Sequence, residues 1–212
     1  MRLVLSVIFC LSACLCYWFE WPNSFSSFQF STWCTQVPVT VYYESLCPDS
    51  RYFIRSILGQ QYSKIGDKID LTFVPFGKAR SLPNGHFQCQ HGPRECRGNM
   101  LQACALSQLS KGKTQMDYVY CAMDRPGYND KQCIEEAGLN YSEIESCMQN
   151  SLGRELLMNH EMDTISNTPA PAGKDRGPSF VPTIVLNKVY NDEDQNTAFS
   201  DMELAVCKYT VC

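Results

Sequence analysis

The sequence has no basic stripe, no internal repeat and no low-complexity segment, and beyond its first residues it has no long apolar run. Its 18 lysines and arginines are mixed with 22 acidic residues, which gives a formal charge of -4. A nucleic-acid partner usually requires a clustered basic surface, so no nucleic-acid partner is expected. Apolar residues make up 44% of the 212 residues. This is enough for a sizeable core in one domain, with or without an insertion.

The first segment, residues 1–16, is typical of a secretory signal peptide. Arg2 supplies a short positive region, residues 3–11 are apolar, and small residues follow up to Cys16. The apolar run is too short to cross a bilayer, so a signal is favoured over an anchor and no membrane span is expected. Residues 17–36 are aromatic and serine-rich, and we interpret them as an N-terminal arm. Residues 37–212 are the predicted main domain.

Cysteine is abundant and indicates an oxidising compartment. Of thirteen cysteines, three would leave with the signal, so ten remain. A secreted chain of this kind should carry disulfides. If Cys47 is kept free for chemistry, nine remain and cannot all pair within one chain. Either another thiol is free, or Cys47 is bonded, or one cysteine bridges to a second molecule, for which Cys212 is the candidate in a disulfide-linked homodimer. The disulfide candidates are Cys34, Cys89, Cys96, Cys104, Cys121, Cys133, Cys147, Cys207 and Cys212.

The stretch at residues 39–50, VTVYYESLCPDS, organises the chain. Its β-branched and aromatic residues predict a buried strand, and apolar residues at helical spacing after Pro48 predict a helix up to about Gly66. Cys47 therefore lies where a strand ends and a helix begins, and the N–H groups there favour an anion such as the reactive thiolate. Pro48 is tolerated in a first helical turn. The arrangement is of the thioredoxin type, except that Ser50 stands at the second cysteine of C-x-x-C.

The rest of the chain is predicted to contain both strands and helices. A second strand at residues 69–74 completes a β-α-β unit with parallel strands. Four helical segments follow, and the last begins with a capping box at Ser142 and Glu145 and extends to about His160. Residues 180–186 are a predicted strand and Asn187-Lys188 a hairpin turn. An acidic loop at 192–196 and a short helix at 199–206 complete the prediction.

Residues 89–104 read CQHGPRECRGNMLQAC, with the spacing C-Q-H-G-x-x-E-C-x-x-N-x-x-x-x-C. In this signature the chain resembles the gamma-interferon-inducible lysosomal thiol reductase family, invertebrate type, over about residues 37–207. The resemblance implies an α/β, thioredoxin-like fold with a cysteine-rich helical insertion at about 89–163. It also implies a lysosomal or secreted glycoprotein that reduces protein disulfides at acidic pH, supporting protein degradation and immune defence. Besides the cysteines, the signature residues are Gln90, His91, Gly92, Glu95 and Asn99.

The chemistry expected at this site uses one thiol. Cys47 can attack a substrate disulfide, but the Ser50 hydroxyl is too poor a nucleophile toward sulfur to release the product. Ser50 could instead donate a hydrogen bond to the thiolate. A small thiol such as cysteine or glutathione would then act as the reductant, with no other cofactor. Otherwise the protein binds or traps substrates without turnover, or, more remotely, Cys47 is a structural half-cystine.

Pro182 stands where thioredoxin-like proteins carry a cis-proline that faces the active cysteine. The backbone of Val181 could then pair with an extended substrate. The alternative is a proline that simply begins a strand.

The cysteines and histidines of residues 86–104 raise the question of a metal site. Cys89, Cys96 and Cys104 with His86 and His91 could suggest zinc, but their spacing matches no familiar zinc module. Disulfides are favoured, no metal is expected, and His91 is interpreted as a hydrogen-bonding residue of its loop.

Asn140-Tyr141-Ser142 is the one N-x-S/T sequon, and it predicts glycosylation at Asn140. The alternative is an unmodified helix start that Ser142 caps.

Overall fold

The computed structural model describes residues 35–127, 129–174 and 176–212, and the backbone of two short antiparallel strands, β1 (Val7–Cys10) and β2 (Cys16–Phe19). Most of the predicted signal and N-terminal arm, including Cys34, lies outside the described residues. Among the described residues, no helix is both long enough and apolar enough to cross a membrane.

A three-stranded sheet forms the centre of the fold. Strand β3 (Val37–Tyr43) lies between β4 (Ile69–Pro75) and β7 (Thr183–Leu186). β3 pairs parallel with β4 and antiparallel with β7. A strand with a neighbour on each side and packing on both faces must be apolar, and Val39, Val41 and Tyr43 are fully buried. The predicted parallel β-α-β unit is confirmed.

A continuous helical stretch connects β3 to β4 in three parts. Helix α1 (Pro48–Tyr52) passes into a π-helical segment (Phe53–Leu58) and then into α2 (Gly59–Ile65). The apolar spacing predicted the helix, and Phe53, Ile54 and Leu58 are fully buried in the core. The π-helical turn was not predicted, because a pattern of apolar residues does not distinguish i→i+5 from i→i+4 bonding.

A helical block lies between β4 and β7. After the short hairpin of β5 (Arg80–Ser81) and β6 (Phe87–Gln88), five helices follow along the chain. They are α3 (Pro93–Leu106), α4 (Lys113–Ala122), α5 (Asp130–Glu136), α6 (Tyr141–Gln149) and α7 (Ser151–Asn167). The single helix predicted from Ser142 to about His160 is wrong. Asn150 interrupts it by accepting a 2.8 Å hydrogen bond from the Leu152 amide as the cap of α7.

The C-terminal part packs two short helices beside the sheet. Asn187 and Lys188 both have positive φ, 51° and 68°, which confirms the tight turn after β7. Helices α8 (Asp192–Ser200) and α9 (Met202–Cys207) follow. The acidic loop predicted at 192–196 is wrong, since these residues form the start of α8. Asn191 caps it through the Asp194 amide at 2.8 Å, and acidic side chains are favourable at that end of a helix.

Four disulfides join the described cysteines in pairs. They are Cys89–Cys96, Cys104–Cys147, Cys121–Cys133 and Cys207–Cys212. Cys47 is free. The intermolecular bridge expected at Cys212 is therefore wrong, because that sulfur is bonded to Cys207. The zinc alternative also fails at its cysteines, since disulfide sulfurs are not thiolate ligands. With eight cysteines paired and Cys47 free, Cys34 is the one left of the ten that follow the predicted signal peptide.

Removing the Cys104–Cys147 bond should destabilise the fold more than removing Cys207–Cys212. The first closes a separation of 43 residues between α3 and α6, and the second closes only 5. Loop-closure entropy then predicts losses of about 4 and about 2 kcal/mol. Denaturant unfolding of the two double alanine variants measures this difference. Equal losses would contradict it.

Candidate functional site

Cys47 occupies the junction between β3 and α1. It is the N-terminal cap of α1, with extended backbone angles, and Pro48 follows as the first helical residue. The Ser50 amide lies 3.5 Å from the Cys47 Sγ, toward which it donates, so the sulfur acts as the capping acceptor. The side chain is only 4% exposed, so a reactant must approach through a defined opening.

The segment before β7 brings Val181 and Pro182 to the same sulfur. Because β7 pairs with β3, residues 134 positions apart in sequence meet, and Sγ lies 3.8 Å from the Val181 carbonyl oxygen. The Val181–Pro182 peptide bond is cis, as predicted. Cys47, Ser50, Val181 and Pro182 thus form one cluster. The Val181 carbonyl can accept a hydrogen bond from Cys47 when it is a thiol, whereas the Ser50 amide donates and so favours the thiolate form.

The Ser50 hydroxyl does not make the hydrogen bond to Cys47 that the sequence suggested. Its side chain is fully buried, and its Oγ accepts from the Glu44 amide at 3.4 Å. The group that contacts Cys47 Sγ is the Ser50 amide, where the sequence suggested the hydroxyl. A hydroxyl that already accepts a backbone amide in the interior is an integral part of the turn.

The signature residues lie behind the Cys47 turn. The Ser45 amide donates to Asn99 Oδ1 at 2.9 Å, and the Ser45 hydroxyl donates to the Glu95 carbonyl at 3.1 Å. A side chain at Gly98 would place Cβ 2.5 Å from Ser45 Oγ, so α3 can approach this closely only with glycine there. The signature therefore holds the turn two residues before the free thiol.

Gly92 and Gln90 have different positions in the signature. Gly92 precedes α3 with φ +86°, a conformation that favours glycine. Gln90 lies away from Cys47, where it lines a cavity of about 610 Å³ whose wall includes Lys78, Arg80 and Arg176.

A cluster of Glu44, His91 and Glu95 adjoins the turn, and Glu44 was not identified from the sequence. His91 Nδ1 lies 2.5 Å from Glu95 Oε2 and 3.4 Å from Glu44 Oε2. The other oxygens accept backbone amides, Glu44 Oε1 from Lys78 at 2.7 Å and Glu95 Oε1 from His91 at 2.9 Å. The sequence signal that could have identified Glu44 is its position, as a charged residue directly after the apolar strand β3. His91 is a hydrogen-bonding residue of its loop, as interpreted.

These three side chains are also the group, among the described residues, whose atoms lie close enough to hold a metal. However, two ligands on one Zn²⁺ ion, each about 2 Å from the metal, would stand about 3 Å apart. The 2.5 Å between His91 Nδ1 and Glu95 Oε2 is instead the distance of a short charge-assisted hydrogen bond. The geometry fits a direct hydrogen bond between these two side chains better than a bridging metal ion.

Glu44 is buried, and its Oε2 has no hydrogen-bond partner among the described residues. Burial, and then the nearby Glu95 carboxylate, raise the pKa of Glu44 from 4.5 to about 7. Contacts with the Lys78 amide and the His91 side chain lower the pKa of Glu44 and so oppose this shift. The carboxyl therefore holds a proton in mildly acidic solution.

A pocket of about 530 Å³ opens beside Cys47. Its wall combines the Cys47 turn, the first turns of the following helix and the loop after α4. Arg51, Arg55 and Asp124 supply its charged groups. The residue that carries the free thiol thus lines a space of the size that small-molecule sites commonly have.

Asn140 is exposed and caps α6 itself. Its Oδ1 accepts from the Ser142 amide at 3.0 Å and from the Ser142 hydroxyl at 2.7 Å. The alternative in which Ser142 caps the helix is therefore wrong, and glycosylation at Asn140 stays a prediction.

Replacing Glu44 by glutamine should flatten the pH dependence of stability. Because the folded-state pKa is raised, the protonated carboxyl stabilises the fold below pH 4.5, and this contribution is lost as the pH rises through about 7. The full shift corresponds to at most about 3 kcal/mol. Denaturant unfolding from pH 4.5 to 8 should show this loss in the wild type and little of it in Glu44→Gln.

His160→Gln provides the opposing control. Burial lowers the pKa of His160 from 6.5 to about 4, so its contribution is present above pH 6.5 and lost as the pH falls through 4. This variant should therefore gain relative stability on acidification, whereas Glu44→Gln should lose it. Parallel curves for the two variants would contradict both assignments.

Comparison with known proteins agrees with the geometry. Residues 38–151 match the family model described as Gamma interferon inducible lysosomal thiol reductase (GILT). A gamma-interferon-inducible lysosomal thiol reductase-like protein of Anopheles gambiae is 34% identical over 192 residues, covering 82% of this chain and 77% of the relative. GILT-like protein 1 of Drosophila melanogaster is 30% identical over 194 residues, covering 82% and 75%. A gamma-interferon-responsive lysosomal thiol protein of Arabidopsis thaliana is 31% identical over 175 residues, covering 81% and 70%. The matched region contains the Cys47 turn and the signature behind it, and the chain belongs to the gamma-interferon-inducible lysosomal thiol reductase family.

Proposed function

We propose that this protein is a thioredoxin-like thiol reductase that acts on protein disulfides through one nucleophilic cysteine, Cys47. The observation that carries the proposal is the state of this thiol. It is the free cysteine among nine described ones, and it caps a helix opposite the cis Val181–Pro182 bond. Membership of a family of thiol reductases supports the same chemistry.

The thioredoxin-like fold is supported by the topology around the site. A parallel β-α-β unit carries Cys47 at its first strand-to-helix turn, and an antiparallel strand then follows the cis Val181–Pro182 bond, whose Val181 carbonyl lies 3.8 Å from the thiol. The helical block, residues 93–167, is inserted between these two parts. On this proposal, the block contributes α3 as a support for the turn without changing the order of the central strands.

In the first step, the Cys47 thiolate attacks one sulfur of a substrate disulfide. A new bond forms between Sγ and that sulfur, the substrate disulfide breaks, and the other substrate sulfur leaves as a thiolate. The Ser50 amide is placed to stabilise the anionic form of Cys47 beforehand. An extended substrate segment would pair with the backbone of Val181, which places its disulfide next to Sγ.

The second step requires a thiol from outside the protein. Ser50 occupies the place of a resolving cysteine, and its hydroxyl is not a nucleophile toward sulfur at neutral or acidic pH. A small thiol, cysteine or glutathione, would attack the mixed disulfide and release the reduced substrate. A second molecule of the same thiol would then regenerate Cys47, so two small thiols are oxidised to one disulfide for each substrate disulfide reduced.

The proposed setting is the secretory route, in lysosomes or outside the cell. The four disulfides fit an oxidising route, and two of the relatives' names contain the word lysosomal. The raised pKa of Glu44 fits an acidic compartment, where the buried carboxyl is neutral. The substrates would be proteins unfolded for degradation, with a contribution to immune defence. A disulfide-linked homodimer would have to use Cys34, the cysteine that remains.

Ser50 also favours a second candidate, a protein that binds or traps disulfide-containing partners without turnover. Its hydroxyl is buried and accepts the Glu44 amide, so no second thiol is held in reserve. In that case the mixed disulfide with Cys47 would persist in the presence of small thiols. The structural half-cystine alternative is contradicted, because Cys47 is not bonded.

Reduction of a protein disulfide should depend on both Cys47 and added small thiol. Cys47→Ala should reduce the rate to the uncatalysed background. Ser50→Cys should raise turnover and weaken its dependence on thiol concentration, because a resolving thiol is then held within the protein. A fluorogenic disulfide substrate, assayed at acidic and neutral pH with cysteine or glutathione, measures these rates.

The matched control is the double variant Cys207→Ala and Cys212→Ala, which removes two cysteines away from the site and should keep the wild-type rate. Equal rates for wild type and Cys47→Ala would contradict catalysis. A stable Cys47 mixed disulfide that excess thiol does not release would instead establish the trapping protein.

A further inference from the structure

The pocket beside Cys47 offers a place for the small thiol that the second step requires. We propose that this pocket binds a thiol carrying a carboxylate, and that Arg51 recognises the carboxylate. The inference rests on the proposed function, because a resolving thiol is needed only if Cys47 forms mixed disulfides. It adds the chemical class of the co-substrate and the residue that selects it.

The shape of the pocket suits such a ligand. It is an open pocket of about 530 Å³, a volume within the usual range for small-molecule sites. Leu46, Pro48, Tyr52 and Pro126 form its apolar wall, and Cys47 lies in the same wall. Its lining residues come from the Cys47 turn, from the helical stretch that follows it and from the loop after α4. Val181, in contrast, belongs to the segment before β7. A thiol in the pocket and a substrate strand along Val181 would therefore contact different structural elements, and neither would occupy the other's place at the sulfur.

The charges of the pocket favour an anion. Arg55 is held in place, with one nitrogen 3.0 Å from Asp124 Oδ1, another donating to the Tyr120 carbonyl at 2.9 Å, and its guanidinium 3.8 Å from the Tyr120 ring centroid. Arg51 lies 3.9 Å from the same Asp124 oxygen, at the outer limit of an ion pair, and its side chain is 51% exposed. The other oxygen of Asp124 lies 3.6 Å from Arg125 Nε, so this carboxylate is engaged mainly by Arg55 and Arg125. The guanidinium of Arg51 retains donors for a bidentate contact with a carboxylate.

Arg51 is also close to the thiol along the chain. It is four residues after Cys47, and its amide donates to the Cys47 carbonyl at 3.0 Å, so the two residues share the first helical turn. A carboxylate held by Arg51 would place the sulfur of a small thiol against the mixed disulfide. The thiolate then attacks Cys47 Sγ, a bond forms between the two sulfurs, and the substrate sulfur leaves as a thiolate. A second thiol attacks the new disulfide, giving the oxidised small thiol and free Cys47.

A pair of thiols that differ in charge tests this inference. Protein carrying a thiopyridyl mixed disulfide on Cys47 is treated with mercaptopropionate or with mercaptopropanol, and release of thiopyridone is followed by absorbance. Cys47→Ala treated in the same way provides the blank. Each rate is divided by that of the same thiol with a small thiopyridyl disulfide in solution, which removes intrinsic reactivity. Cysteine and glutathione, measured beside them, distinguish an amino acid from a tripeptide as the source of the carboxylate.

The normalised rate should be about two- to fivefold higher for mercaptopropionate, the range that an exposed ion pair supplies, and the preference should weaken in high salt. Arg51→Gln should abolish the preference, Arg51→Lys should keep part of it, and Asp124→Asn should increase it. Arg154→Gln, which removes an exposed arginine on α7, should leave it unchanged.

A ratio of one in the wild type, or a preference that persists in Arg51→Gln, overturns this inference and leaves the proposed function standing. Release by none of the thiols overturns both.

Discussion

The hydrogen bond from the Ser45 amide to the Asn99 side chain is the contact on which the site depends. It is buried and joins residues 54 positions apart, and the Asn99 amide group also reaches the Phe76 carbonyl at 3.5 Å. One side chain of α3 therefore connects the ends of β3 and β4. An unpartnered amide in the interior would cost about 1–3 kcal/mol. Together with the bond from the Ser45 hydroxyl to the Glu95 carbonyl, this contact holds the turn that carries Cys47 against α3.

The same helix creates an electrostatic constraint. Glu95, at the start of α3, brings a carboxylate and the His91 imidazole next to Glu44, three residues before the thiol. Burial, and then the neighbouring Glu95 carboxylate, disfavour the ionised form of Glu44, so its pKa is raised and it retains a proton at a higher pH than usual. The contribution of Glu44 to folding stability is therefore larger in acid than at neutral pH, which fits the acidic compartment proposed for the protein.

The replacement of a resolving cysteine by Ser50 changes what the rest of the site must do. A two-thiol enzyme carries its own second nucleophile, whereas a one-thiol enzyme must admit a small thiol to a sulfur that is almost completely buried. On the proposed mechanism, the small thiol would approach Cys47 from the pocket lined by Arg51, and the substrate would approach along the backbone of Val181. The proposed chemistry then has two partners, an extended protein segment and a small anionic thiol, each recognised by different groups.

Sequence alone determined the β-α-β unit, the place of Cys47 at a strand-to-helix turn, the lack of a second thiol at Ser50 and the family, because these depend on local spacing and on one contiguous signature. The resemblance to that family favoured a cis bond before Pro182, and the structure shows that bond. Tertiary structure alone decided the cysteine pairs, the partner of Cys212, the helix break at Asn150 and the π-helical turn. It also decided the Glu44 cluster and the pairing of Arg55 with Asp124. Charges and sulfurs far apart in sequence meet only when α3 and the loop after α4 pack against the central sheet and its connecting helix. No local pattern encodes those distances, because they are set by the packing of the whole core.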